Sequence, residues 1–183
     1  INKITFNLHC IMKQILLTIA LVMISVCAFA DNSTKVTEGN ASFLKKEATA
    51  NVVFNWDKAE WDNGRETLKE HWGDDYDKTT KRGEEAFVRS FNENSKKVKI
   101  SDAPAQYRIE VNMGNIDYFF SAMSFVPGHK HRVSAIINVI DTATGNKVCT
   151  ITVDARKGGR DFVVSDSFVK AMEQVGEDVA KLK

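Results

Sequence analysis

Apolar and polar positions alternate most regularly between Tyr107 and Asp154. Tyr107, Ile109, Val111 and Met113 interleave with Arg108, Glu110 and Asn112, the period-2 pattern of a strand with one dry and one solvated face. The pattern decays after Gly114 into the apolar stretch Tyr118–Pro127 and returns at Val133, Ala135, Ile137 and Val139. Ile136 and Ile140 make the opposite face apolar too, which predicts a central strand covered to some extent on both sides. The run Asp141 to Asn146 places Gly145 where a hairpin commonly needs φ > 0, so a tight turn should lead into a return strand carrying Cys149, Ile151 and Val153.

Upstream, Val52, Phe54 and Trp56 alternate with Asn51, Asn55 and Asp57, and Val98 and Ile100 mark a brief second strand. Helical spacing relates Tyr76, Ala86, Phe87 and Phe91, and again Phe168, Met172, Val175, Val179 and Leu182, predicting two long amphipathic helices. Ser165-Asp166-Ser167 offers the second an amino-terminal cap, and Arg65 to Gly73 reads as a short helix or loop. Consecutive hairpin-linked strands with flanking helices predict an α+β fold: a mainly antiparallel sheet of about four to five strands with two long helices packed on one face.

The amino-terminal region changes the picture of where this domain works. Met12-Lys13-Gln14, the apolar run Ile15–Val26 and then Ala28-Phe29-Ala30 form a secretory signal peptide over 12–30, with cleavage near Ala30. Its apolar run is shorter than the roughly 20 residues of a spanning helix. Residues 1–11 read as upstream read-through, and 31–47 as a flexible arm before a single α+β domain at 48–183. The expected destination is the periplasm or the exterior; lipid anchoring at Cys27 is the competing reading. No transmembrane helix is expected in the mature chain.

Of 25 basic residues only Lys3 and Lys13 fall in the first thirty, which contain no acidic residue, so the mature balance is 23 against 24. Nucleic acid is excluded as a partner on that ground, because it calls for a basic patch or stripe. Cys10 and Cys27 leave with the leader, so Cys149 has no intramolecular disulfide partner.

Gln106-Tyr107-Arg108-Ile109-Glu110-Val111, the strand Ile136–Asp141 and the turn Thr142–Val148 together resemble small Gram-negative envelope proteins. These include the curli-secretion lipoprotein, the penicillin-binding-protein activator lipoproteins and the amino-terminal domain of the Tol translocation protein. The resemblance runs from about Ala48 to Leu182. It implies non-catalytic work with an envelope or cell-surface partner and supplies no active-site residue and no cofactor.

The residues themselves offer several weaker constellations. His129-Lys130-His131, with His71 and Asp74 or Asp75, suggests a metal half-site and hence a small metal-dependent hydrolase, although zinc needs three or four ligands in tetrahedral array. Its blander reading is a solvated basic loop that includes Arg132. Cys149 with His129 or His131 has the residue types of a nucleophile and base, but the alternation turns the thiol toward the core. Trp61 and Trp72 suggest a glycan-stacking platform. Lys157-Gly158-Gly159-Arg160 lacks the rest of a phosphate-binding loop and reads as a connection. The ten residues Tyr118–Pro127 carry no charge, so they either cap the core or dock on something. The expected partner-binding set is accordingly Phe119, Phe120, Phe125, His129, Lys130, His131 and Arg132.

Overall fold

The computed structural model describes residues 33–118, 131–156 and 164–183. The leader, Cys27, the connection at 119–130 and Lys157–Arg160 lie outside them. Eight strands are described: β1 (Ser33–Gly39), β2 (Ala48–Asn55), β3 (Glu60–Trp61), β4 (Glu66–Thr67), β5 (Val98–Ile100), β6 (Tyr107–Tyr118), β7 (His131–Asp141) and β8 (Lys147–Arg156). The helices are α1 (Leu68–Trp72), α2 (Tyr76–Asn94) and α3 (Val164–Ala180). All described residues belong to one unit, Asn32–Lys183.

The main path of the sheet runs β1-β8-β7-β6-β2-β5, with β3 and β4 beside the end of β6. It is mixed, which corrects the antiparallel expectation. β6, β7, β8 and β1 pair antiparallel, but β2 lies parallel to both β5 and β6. The chain leaves β2, returns through α1 and α2 to β5, and then places β6 on the other side of β2. Tight hairpins are local and announce themselves in sequence; a parallel pairing rests on a long crossover that no local pattern records.

The helices α2 and α3 pack on each other and on the sheet face that carries Ile109, Val111, Ile137, Ile151 and Val153, all at or below 1% exposure. Phe87 and Phe91 of α2 and Phe168, Met172, Val175 and Val179 of α3 complete this core. Ser165-Asp166-Ser167 lie within α3, so they are not the residues that precede it. Asp166 instead accepts a 2.6 Å hydrogen bond from Arg82 of α2, and Ser167 is buried.

From Ser33 onward, the segment expected as a flexible arm is built into the sheet. β1 pairs with β8 from Ser33↔Asp154 to Gly39↔Cys149, and a short 3-10 turn at Ala41–Lys45 buries Phe43 and Leu44. Asn40 begins that turn by accepting from Ser42 N–H at 3.0 Å, and Phe43 meets Tyr107 edge to face. An edge strand with one solvated face needs few apolar residues, and Val36 was a thin signal among Lys35, Thr37 and Glu38.

The decay of alternation after Gly114 also has a cause. The β6–β7 register shifts between Met113 and Ile116, so the apolar buried side chain moves from the odd positions up to Met113 to the even position Ile116. Ser134 fastens the shift: its hydroxyl accepts from Asn115 N–H at 2.7 Å and donates to Asn115 C=O at 3.1 Å. This is a β-bulge, with Gly114 where a side chain would strike the Ser134 hydroxyl.

Candidate functional site

Beyond the bulge the β6–β7 ladder continues to Tyr118↔His131. β3 joins β6 in parallel, Trp61 opposite Ile116, and Asp62 N–H donates to the Ile116 carbonyl at 3.0 Å. Asn63 N–H is held by Asn115 at 2.7 Å, so the turn after β3 is tied to the bulge. These bonds bring Trp61 beside the ends of both long strands.

A ring cluster forms there. Trp61 is 4% exposed and stacks on His71, ring centres 3.7 Å apart and planes 12° apart. His71 comes from α1, whose start is fixed by a capping box between Thr67 and Glu70. Its Nδ1 lies 2.6 Å from Glu66 Oε1. His131 sits 5.6 Å from Trp61 and 6.2 Å from Phe168, which in turn packs on Trp72 at 4.9 Å.

His131 corrects the sequence reading most sharply. It belongs to a strand, is wholly buried, and its Nδ1 is hydrogen-bonded to the Ser167 hydroxyl of α3. A serine touching a histidine has the residue types of nucleophilic catalysis, but both side chains are 0% exposed, as packing residues are. The pair ties β7 to α3. Parity places it there: His131 precedes Val133 by two residues and shares its dry face.

Arg132 points the other way. Its Nε and Nη2 donate to the two carboxylate oxygens of Asp154 on β8 at 2.6 and 2.7 Å, a bidentate pair whose bond to Asp154 holds the guanidinium more firmly protonated than usual. Asp117, paired across the ladder with Arg132, is 9% exposed. Burial raises its carboxyl above the ordinary aspartate range, while the charge of Arg132 and a 3.0 Å hydrogen bond from Asn115 pull it back. Neither His131 nor Arg132 is therefore part of a free basic loop. Phe119, Phe120, Phe125, His129 and Lys130 lie outside the described residues.

The other constellations lose their described members on the same geometry. Among the described residues no three of His, Cys, Asp and Glu gather as metal ligands, and His71 is turned to Glu66 instead of Asp74 or Asp75. Trp61 is buried and Trp72 is half-buried against Phe168 and Tyr76, so they present no shared flat platform. Cys149 is 1% exposed, and burial pushes its thiol up to about 11, the opposite of what a nucleophile needs.

Two features escaped sequence reasoning. Ile136, expected to be covered, is 52% exposed on the outer sheet face, above a groove of about 410 Å³ that Lys58, Asn112, Gly114, Ser134 and Thr152 help to line. Val53 is 51% exposed. Apolar residues on both parities were the available signal: around Ile136 they were read as two-sided burial, whereas the strand of Val53 was read as half-buried and Val53 was given no face.

No family model matches the chain, and no curated protein matches it. Among solved structures it is similar to proteins of bacterial origin at low identity. One is the PelC dodecamer from Paraburkholderia phytofirmans, at 12% identity and TM-score 0.47, covering 84% of this chain and 100% of that one. Another is a Xanthomonas campestris protein of the DUF330 family model, at 15% identity and TM-score 0.44, covering 81% and 90% respectively.

Proposed function

We propose that the protein is a non-catalytic binding module of the cell envelope, exported by the leader at 12–30, which offers the connection between β6 and β7 to an envelope or cell-surface partner. One observation carries this reading: the ladder is paired through Tyr118↔His131, yet twelve residues join its two ends, where a hairpin needs two to five. Connections of such length inside a compact domain usually serve a function. Phe119, Phe120, Met123, Phe125 and Val126 fall within it, with no charge before Lys130. The contact set is then Phe119, Phe120, Phe125, His129 and Lys130, while His131 and Arg132 brace the stalk beneath.

The test is the double substitution Phe119→Ser with Phe125→Ser, measured by pull-down from cross-linked envelope extract and by thermal unfolding. Each aromatic anchor at a binding surface is worth about 2 kcal/mol, so capture should fall at least about thirtyfold while the thermal midpoint holds. Undiminished capture refutes the reading. A collapse of the midpoint makes the two rings part of the core.

A further inference from the structure

Among the described residues, β2 has no ladder partner beyond Ala50 on the side away from β6. β5 pairs only with Ala48, Thr49 and Ala50, whereas β2 continues beside β6 to Asn55. The bonds on either side fix which residues face that open edge. Ala48 N–H donates to Lys97 C=O at 3.3 Å and Ala50 C=O accepts from Ser101 N–H at 2.9 Å, both toward β5. Thr49 C=O faces the other way and accepts from Gln106 N–H. Successive residues of a strand turn their N–H and C=O to alternate edges, so Val52 and Phe54 aim theirs outward.

The side chains at this edge are apolar on both faces. Val53 is half-exposed on the outer face. On the inner face Val52 and Phe54, with Val88 of α2, line a groove of about 440 Å³ between β2 and α2. Open edges are normally blunted by lysine, proline, a bulge or a covering element, and this one carries three successive apolar residues instead. The rim is acidic: Arg89 is occupied by Glu173, which leaves Lys81 against Glu84, Glu85 and Asp102.

We propose that the edge of β2 at Val52–Phe54 receives an extended segment of a partner protein as an added strand, basic in charge and with apolar residues at alternate positions. The outward N–H and C=O groups of Val52 and Phe54 supply the main-chain bonds, the groove takes an apolar side chain, and the acidic rim selects the charge. None of the residues of this surface belongs to the connection at 119–130, and either proposal stands or falls without the other.

The probe is a capped heptapeptide of alternating lysine and valine, titrated into isotope-labelled protein and followed by amide chemical shifts. The expected result is saturable binding below about 1 mM with the largest shifts at Val52, Val53 and Phe54. Val53→Lys and Glu85→Lys, both at exposed positions, should each weaken it at least about tenfold with circular dichroism and thermal midpoint unchanged. An N-methylated version of the peptide, which cannot complete the ladder, should not bind. Failure to saturate, shifts centred elsewhere, or equal binding by the N-methylated peptide overturns the proposal. So does sedimentation showing that the protein dimerises and that Val53→Lys alone makes it monomeric, since the occupant is then a second copy.

Discussion

Gly176→Ala sets two effects of opposite sign against each other. Gly176 lies in α3 and is buried against α2. In an unencumbered helix the change should stabilise by about 1 kcal/mol, because alanine is the better helix former. Here the added methyl would fall well inside contact distance of the Phe87 carbonyl oxygen and 3.1 Å from Phe91 N. These two atoms are i and i+4 in α2, so the methyl wedges against a rung of its hydrogen-bond ladder. A backbone carbonyl in that ladder cannot swing away as a side chain can, and Phe87 and Phe91 are both 0% exposed. The helices must separate, at an overpacking cost of about 3 kcal/mol. The net destabilisation is about 2 kcal/mol, a fall of about 4–8 °C in the thermal midpoint for a domain of this size. Urea unfolding followed by circular dichroism measures it, with an unchanged m-value showing that two-state behaviour survives. A variant as stable as the parent, or more stable, would refute the close approach of α2 and α3.

Two further outcomes follow from buried titrating groups. Cys149, its thiol pushed up to about 11 by burial, should resist iodoacetamide in the native protein at pH 8 and react fully in denaturant; rapid native labelling would contradict its placement in the core. Burial holds the Asp117 carboxyl above its ordinary value, so the folded chain binds this proton more tightly than the unfolded one. Stability should therefore fall as pH rises from the ordinary aspartate value of about 3.9 through the raised one. Asp117→Asn should remove that component from the pH profile of unfolding, and a superimposable profile would count against the desolvation argument.

The antiparallel part of the sheet was readable because each of its signals is local. Strict alternation fixes β6, β7 and β8, and the turn after β7 shows its own chemistry: Asp141 accepts from Ala143 and Thr144 N–H at 3.0 Å, and Gly145 takes φ 70°. Both long helices were likewise legible from spacing. What failed was whatever depends on a distant partner. β1 is mostly polar and takes its place chiefly by pairing with β8, and β2 sits between β5 and β6 only because a crossover carries the chain past it. His131 was misplaced for another reason. Next to His129 and Lys130 it resembles a basic loop, whereas counting back two residues from Val133 sets it on the dry face.

Val53 and Ile136 show why apolar residues on both faces of a strand are ambiguous. The pattern is produced by burial between two layers, and equally by a surface left open for a partner. Ile136 is flanked in register by Asn112 and Thr152, and every ladder bond of its strand is supplied by β6 and β8, so its exposure is that of a single apolar residue on a polar face and needs no occupant. Val53 is about as exposed, but its neighbours Val52 and Phe54 have main-chain groups that face no strand among the described residues. Equal side-chain exposure thus carries different weight at the two positions. Unmet hydrogen-bonding capacity, not hydrophobicity, is what distinguishes a docking edge from a bare patch.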